Sequence, residues 1–189
     1  MLAVITTEND GNAVGILDPV LLARPLEFIL ADHLRQRNLC ALLERLAGER
    51  RFNPALAASV ADYMADELSI HMLDEDEDLF PLLRRRAVPG DDVERVLGLL
   101  SREHSDADRQ LEGIVNGLRE AISAGRTELD ASLAMTLRTF AHRKRRHLAV
   151  ENAIIMPLAE ARLTPKDSEG LARRMAVRRR IRLSPGASA

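Results

Sequence analysis

Two copies of one motif decide the fold: HMLDEDEDLFP at residues 71–81 and HLAVENAIIMP at residues 147–157. In each copy a glutamate follows a histidine by four residues, and the motif ends in a proline, Pro81 or Pro157. The two copies are 76 residues apart at the histidine, the glutamate and the proline. Residues four apart in an α-helix lie on one face, about 40° from each other. Each histidine–glutamate pair can therefore bind one metal centre.

A second repeat lies on the helices that precede these motifs. Asp32-His33 corresponds to Glu103-His104, at a spacing of 71 residues. The chain is thus a pair of helices used twice, and folding the pairs together about a pseudo-two-fold axis places four imidazoles and two carboxylates in one interior layer. That number of ligands suits two metal ions. The candidate ligands are His33, His71, Glu75, His104, His147 and Glu151.

The remaining sequence predicts an all-α chain. Aromatic residues make up only 3% of it, and the apolar positions are mostly leucine and alanine, which favour helices. Proline, glycine and capping residues divide the chain into four long helices. Their predicted ranges are 25–48, 54–86, 91–123 and 127–163.

Short connections between these helices predict an up-down-up-down four-helix bundle, because consecutive helices must then be antiparallel neighbours. Thr164-Pro165 predicts the start of a short C-terminal helix that ends at Ser184-Pro185-Gly186. The domain division that follows is an N-terminal arm at 1–24, the bundle at 25–163, and a short helix with a basic tail at 164–189.

The composition excludes several classes of protein. With 189 residues, 46% of them hydrophobic and 30% charged, the chain is expected to be a soluble globular domain. It contains neither a membrane span nor a secretory signal, so we expect a cytoplasmic protein. The single cysteine, Cys40, excludes an internal disulfide and a thiolate cluster, and we predict that it packs in the core. A net charge of −2 gives no overall attraction to nucleic acid, so we do not expect nucleic acid as a partner.

A helical wheel places Glu75 on the apolar stripe of the second helix, with Asp76 and Glu77 well off it. Asp78 is borderline. The position that matches it in the fourth helix is Ile154, which we place on the buried stripe, so the repeat argues against Asp78 as a ligand. Packing is also the ordinary role of a lone histidine on an apolar stripe, but four such residues with two matched glutamates favour a shared metal site.

Most other charged residues are predicted to lie on solvated helix faces. These are the acidic run at 74–78 apart from Glu75, the basic clusters at 84–86, 143–146 and 173–182, and His142. The cluster at 173–182 also leaves open a protein partner that binds the basic C-terminal tail. Asp32 and Glu103 lie about 100° from the ligand face and are predicted to be outer groups rather than ligands.

A further prediction concerns Arg37 and Asp108, each four residues after a candidate histidine. On parallel helices the two side chains would point inward at similar depth. We therefore expect a buried ion pair that closes one side of the site, with Asp108 as a metal ligand the alternative.

These motifs resemble the hemerythrin HHE cation-binding domain, over about residues 25–163. The resemblance implies a non-haem centre of two Fe ions joined by an oxo or hydroxo bridge. It assigns His33, His71, His104 and His147 as terminal ligands, with Glu75 and Glu151 bridging. It further implies that the protein binds or senses a small diatomic or redox ligand, which would be oxygen, nitric oxide or peroxide.

Two departures from the oxygen-carrying members refine this expectation. Asp108 stands where those proteins have a further histidine, and the fourth helix has His147-x-x-x-Glu151 instead of H-x-x-x-x-D. The pattern is more similar to HHE proteins linked to iron–sulfur repair or to iron and oxygen sensing. An oxidase or peroxide-decomposing enzyme and a regulatory interaction protein are the alternatives. The ligand types suit iron, manganese or zinc equally.

Overall fold

The computed structural model describes residues 13–183. Within that range the chain forms a short 3-10 helix, five longer helices and no strands, and the longer helices are arranged as the predicted up-down-up-down bundle with a short C-terminal helix. The all-α fold class is therefore confirmed. The helices are α1 (Pro25–Gly48), α2 (residues 54–86), α3 (Val93–Ser123), α4 (residues 131–162) and α5 (Pro165–Arg178).

Two of the long helices contain π-helical segments that the apolar pattern did not predict. They are Met64–Leu68 and Asp74–Leu79 in α2, and Glu151–Ile155 in α4. A π-helical turn contains one extra residue and shifts the residues that follow it. Ile154 is accordingly 43% exposed while Ile155 is fully buried, so the prediction that Ile154 faces the interior is wrong.

Side-chain caps account for several helix boundaries. The Asn53 side chain accepts a hydrogen bond from the Leu56 amide, and Thr164 forms a capping box with Asp167. The predicted start of α4 at Thr127 is wrong, because Asp130 provides the cap by accepting from two backbone amides of the first turn.

The end of α5 also differs from the prediction. The helix stops at Arg178, and Arg180 adopts a left-handed conformation with φ of 56°. The Ile181 amide then donates to the Ala176 carbonyl, and the Arg180 amide donates to the Val177 carbonyl, which closes the helix in a Schellman motif. The predicted stop at Ser184-Pro185-Gly186 lies outside the described residues.

The described part of the N-terminal segment packs against the bundle. A short 3-10 helix at Pro19–Ala23, capped by Asp18, precedes α1, and Leu21 and Leu22 are buried. Positions 1–12 of the predicted arm and 184–189 of the tail lie outside the described residues. The division of the chain into arm, bundle and tail stays a prediction.

Two apolar clusters fill the bundle on either side of its middle. One is centred on Leu43, Met64 and Leu118, and the other on Ile29, Phe80 and Leu97. The six candidate ligands lie in the polar layer between them, at the depth where all four long helices meet. No helix in residues 13–183 is both long and apolar enough to cross a membrane.

Replacing Asp130 with alanine is expected to destabilise the chain by about 1 kcal/mol, because two backbone amides at the start of α4 lose their acceptor. Urea unfolding followed by circular dichroism measures this change. Glu128→Ala is the matched control, since Glu128 is exposed and carries the same charge just before the cap. Equal stabilities of the two variants would contradict the capping role of Asp130.

Candidate metal centre

The structure brings all six candidate ligands together as two overlapping donor sets. One set is His33, His71, Glu75 and Glu151, and the other is Glu75, His104, His147 and Glu151. Within each set the potential ligand atoms lie within 4.8 Å of one another, and every residue is buried. Both glutamates belong to both sets. Two ions could therefore each have two histidines of their own and share two carboxylates.

The short distances in this layer all involve the Nε2 atoms of the histidines. The Nε2 atom of His33 lies 3.4 Å from a Glu75 oxygen and 3.5 Å from a Glu151 oxygen. His71 Nε2 lies 3.3 Å from Glu75, and His147 Nε2 lies 2.8 Å from Glu151. His104 Nε2 approaches His147 Nε2 at 2.9 Å. All four imidazoles thus direct the same ring nitrogen to the middle of the bundle.

Hydrogen bonds behind the rings fix this orientation in two symmetric pairs. The Nδ1 atom of His71 lies 3.0 Å from Asp32, and that of His147 lies 2.8 Å from Glu103. The other two histidines have equivalent bonds of 2.8 Å, from His33 Nδ1 to Asn152 Oδ1 and from His104 Nδ1 to Asp76 Oδ2. A neutral imidazole that donates from Nδ1 has its lone pair on Nε2, as a metal ligand requires.

Several buried atoms at the centre make no hydrogen bond within the described chain. They are His71 Nε2, Glu75 Oε2 and both carboxylate oxygens of Glu151. Buried polar atoms are normally satisfied, because leaving one without a partner costs about 1–3 kcal/mol. Nitrogen and carboxylate oxygen atoms are suitable ligands for a transition metal. The side chains present therefore fit a metal ion on each side of the shared glutamates.

Comparison with protein families gives one finding. The family model for the hemerythrin HHE cation-binding domain matches residues 24–159, which include all six residues, the first three bundle helices and most of α4. The chain belongs to the hemerythrin HHE family. No curated protein and no solved structure gives a match.

The two shared glutamates keep their negative charge in this hemerythrin-like centre. Burial acts to raise the pKa of Glu75, but His71, His104 and His33 hold it well below its usual range. Burial and the charge of Glu75 act to raise the pKa of Glu151, but His147 and His104 lower it to about 2. The negative charge at the centre therefore requires a compensating positive charge.

Two of the histidines, His71 and His104, have raised pKa values. Burial opposes protonation of His71, but Glu75 and Asp32 raise its pKa to about 9. Burial likewise opposes protonation of His104, whose pKa is raised to about 11 by Asp76, Glu151 and Glu75. Protons supply the missing positive charge in the metal-free chain, and a bound metal ion would displace them.

Asp32 belongs to a further hydrogen-bond network on one side of the centre. Its carboxylate accepts from Arg35 at 3.0 Å, Gln36 at 3.2 Å and the Tyr63 hydroxyl at 3.2 Å, besides contacting His71. Burial acts to raise the pKa of Asp32, but the opposing effect of His71, Arg35 and Gln36 is larger and holds the pKa below its usual value. Asp32 thus remains a carboxylate that fixes the ring of His71. The outer role predicted for it matches this position.

Two of the outer groups, Asp76 and Asn152, were missed from the sequence. The helical wheel placed Asp76 on a solvated face, but it lies in the π-helical segment Asp74–Leu79 and also accepts from Ser101 Oγ at 2.5 Å. Asn152 stands 76 residues after Asp76, which is the spacing of the repeat itself. Extending the repeat by one residue beyond each glutamate would have found both groups.

The predicted ion pair between Arg37 and Asp108 is wrong, because both side chains are exposed. The interior faces of these helices include the residues three and seven positions after the candidate histidines. Gln36, on α1, is fully buried, and Leu111, on α3, is 5% exposed. On α1 and α3 the residue four positions later is rotated to the other side of the histidine and faces solvent, in contrast to Glu75 and Glu151 on α2 and α4. Asp108 also belongs to neither donor set.

The acidic run and the C-terminal basic cluster are not simply solvated, so that prediction is also wrong. Asp74 and Asp78 are buried and pair with two arginines of α5 and with Arg179, which directly follows that helix. Arg178 lies 2.8 Å from Asp74, Arg179 lies 2.7 Å from Asp74, and Arg174 and Arg178 both contact Asp78. These ion pairs hold α5 against the π-helical segment that contains Glu75.

Two residues lie where the sequence placed them. His142 is exposed on α4, and Cys40 is fully buried in the apolar cluster. Burial raises the pKa of the Cys40 thiol to about 11, which keeps it protonated and unreactive at neutral pH.

Replacing Asp76 with alanine is expected to weaken the binding of ferrous iron by about 10- to 100-fold, because His104 loses the acceptor that fixes its ring. Asp76→Asn should retain most of the affinity, since Asn152 has the same role for His33. Asp108→Ala is the control and should bind iron as the unmodified chain does. Competition with a chromophoric chelator measures all three, and equal effects of Asp76→Ala and Asp108→Ala would contradict this role.

Proposed function

We propose that this hemerythrin domain holds two non-haem iron ions and binds or senses a small diatomic or redox ligand, namely oxygen, nitric oxide or peroxide. The observation that carries the proposal is the presence of Glu75 and Glu151 in both donor sets. Membership of a cation-binding family supports the same conclusion.

The number of ligands supports a small exogenous ligand. Each set supplies two imidazoles and two shared carboxylates, which is fewer than the six ligands of an octahedral ion. Open positions would remain on both ions. When bound, iron at these positions supplies Lewis-acid and one-electron redox chemistry.

The protein's own side chains prepare this site in three ways. The histidines hold their Nε2 atoms inward because Asp32, Asp76, Glu103 and Asn152 accept from the opposite ring nitrogens. The glutamates remain ionised beside them. The apolar clusters on both sides exclude bulk water, which strengthens electrostatic interactions in the layer.

The stoichiometry of bound iron should follow the donor sets. The unmodified chain is expected to hold two irons. His147→Ala removes a ligand from one set only and should reduce the content toward one, whereas Glu151→Ala affects both sets and should reduce it further. His142→Ala, an exposed histidine of the same helix, is the control and should retain two. Elemental analysis of the reconstituted proteins measures the ratio, and a single tightly bound ion in the unmodified chain would contradict the proposal.

Ligand binding is tested with the ferrous protein under anaerobic conditions. Addition of nitric oxide is expected to produce a new visible absorption that disappears when the gas is removed. Glu151→Ala should lose this response together with its iron. An unmodified chain that contains two irons but gives no spectral response to nitric oxide, oxygen or peroxide would contradict the ligand-binding function. Sustained consumption of peroxide under reducing conditions would instead favour an enzyme.

A further inference from the structure

A cavity of about 210 Å³ lies between α3 and α4 and reaches two of the proposed ligands, His104 and His147. Phe140 and Lys144 form part of its buried wall, and the exposed Arg143 and Arg146 line its outer part. Three further cavities in the described chain contain none of the six proposed ligands. Of these four cavities, only this one adjoins the proposed centre, and it does so on the side of His104 and His147.

Lys144 is the unusual residue of this cavity. It is only 5% exposed, yet no hydrogen bond or ion pair of its side chain is found within residues 13–183. Its neighbour Arg145, in contrast, forms a two-pronged contact with Glu44. The stem of Lys144 packs in the cavity wall, while its ammonium group keeps contact with solvent. The ammonium group is therefore open to an anion that enters the cavity.

The two acidic residues that line the cavity already have partners. Glu103 accepts from His147 Nδ1 at 2.8 Å, and Asp106 contacts Arg109. Arg143 and Arg146, like Lys144, have no ion pair in the part of the chain that the structure describes. The three unpaired cations give the cavity a positive potential, which attracts anions from solution.

We propose that this cavity is a binding site for a small oxyanion with a single negative charge, of which nitrite is an example, and that Lys144 is its anchor. A volume of about 210 Å³ corresponds to several water molecules at roughly 30 Å³ each, so it admits a three-atom anion with some of its water. The ammonium group donates charge-assisted hydrogen bonds to the anion. Delivery of the anion to the His104 and His147 side of the centre rests on the proposed function, whereas binding in the cavity does not.

Isothermal titration of sodium nitrite into the full-length, metal-free chain tests the proposal. The unmodified protein should bind one nitrite saturably, and Lys144→Met should bind it roughly tenfold more weakly or worse. Lys144→Arg keeps the charge and should recover part of the affinity. Lys166→Met is the matched control, because Lys166 is exposed and is the only other lysine in the sequence.

Two further measurements on the same proteins distinguish a failure of the anion site from a failure of the di-iron proposal. Lys144→Met should unfold at a temperature no lower than the unmodified chain, since methionine keeps the apolar stem and removes an unpaired charge. It should also keep the iron content of the unmodified chain. Unchanged nitrite affinity in Lys144→Met, or no nitrite binding by an unmodified chain that takes up two irons, would overturn the anion site alone. Nitrite binding by the metal-free chain, together with failure of the same chain to take up iron on reconstitution, would overturn the di-iron proposal alone.

Discussion

Charge compensation in one buried layer is the constraint on which this structure depends. Four imidazoles and two fully buried carboxylates lie between two apolar clusters, where each polar group would cost several kcal/mol if it had no partner. Oxygen atoms behind the histidines satisfy their outer ring nitrogens. The negative charge that remains uncompensated is at the centre, on the carboxylates of Glu75 and Glu151. Protons on the histidines compensate it in the metal-free chain, and two metal ions would compensate it in the proposed functional state.

The internal repeat produces this layer, but the two halves are not equivalent. Both glutamates lie in π-helical segments, and each is followed by an acceptor for a histidine of the other half. Beyond the layer the halves diverge. Arginines at the C-terminal end of α5 and just after it hold the segment around Glu75, while the cavity with Lys144 adjoins His104 and His147. The repeat thus places the ligands symmetrically, but their surroundings differ. Ion pairs hold the helix segment on one side, and a cavity reaches the ligands on the other.

Much of the architecture could be predicted from sequence because the signals are local or repeated. Pro25, Asn53 and Thr164 mark helix starts through proline geometry and side-chain caps. The repeated spacing brought together six residues on four helices. Their role as metal ligands stays a prediction, since spacing indicates which side chains meet but does not identify the ion.

The features that were missed depend on geometry that periodicity does not contain. An ideal helical wheel cannot include the extra residue of a π-helical turn, so Ile154 and Asp76 were assigned to the wrong faces. The wheel also could not choose on which side of each histidine the core would lie, which is why Arg37 and Asp108 are exposed. Contacts between α5 and the acidic run join residues about 100 positions apart and follow from tertiary packing alone. A crystal structure of the iron-loaded chain, with anomalous scattering measured at the iron edge, tests whether the polar layer holds two ions. Two iron peaks are expected, one beside His33 and His71 and one beside His104 and His147, with both glutamates between them. A single peak, or iron bound away from Glu75 and Glu151, would contradict the di-iron proposal.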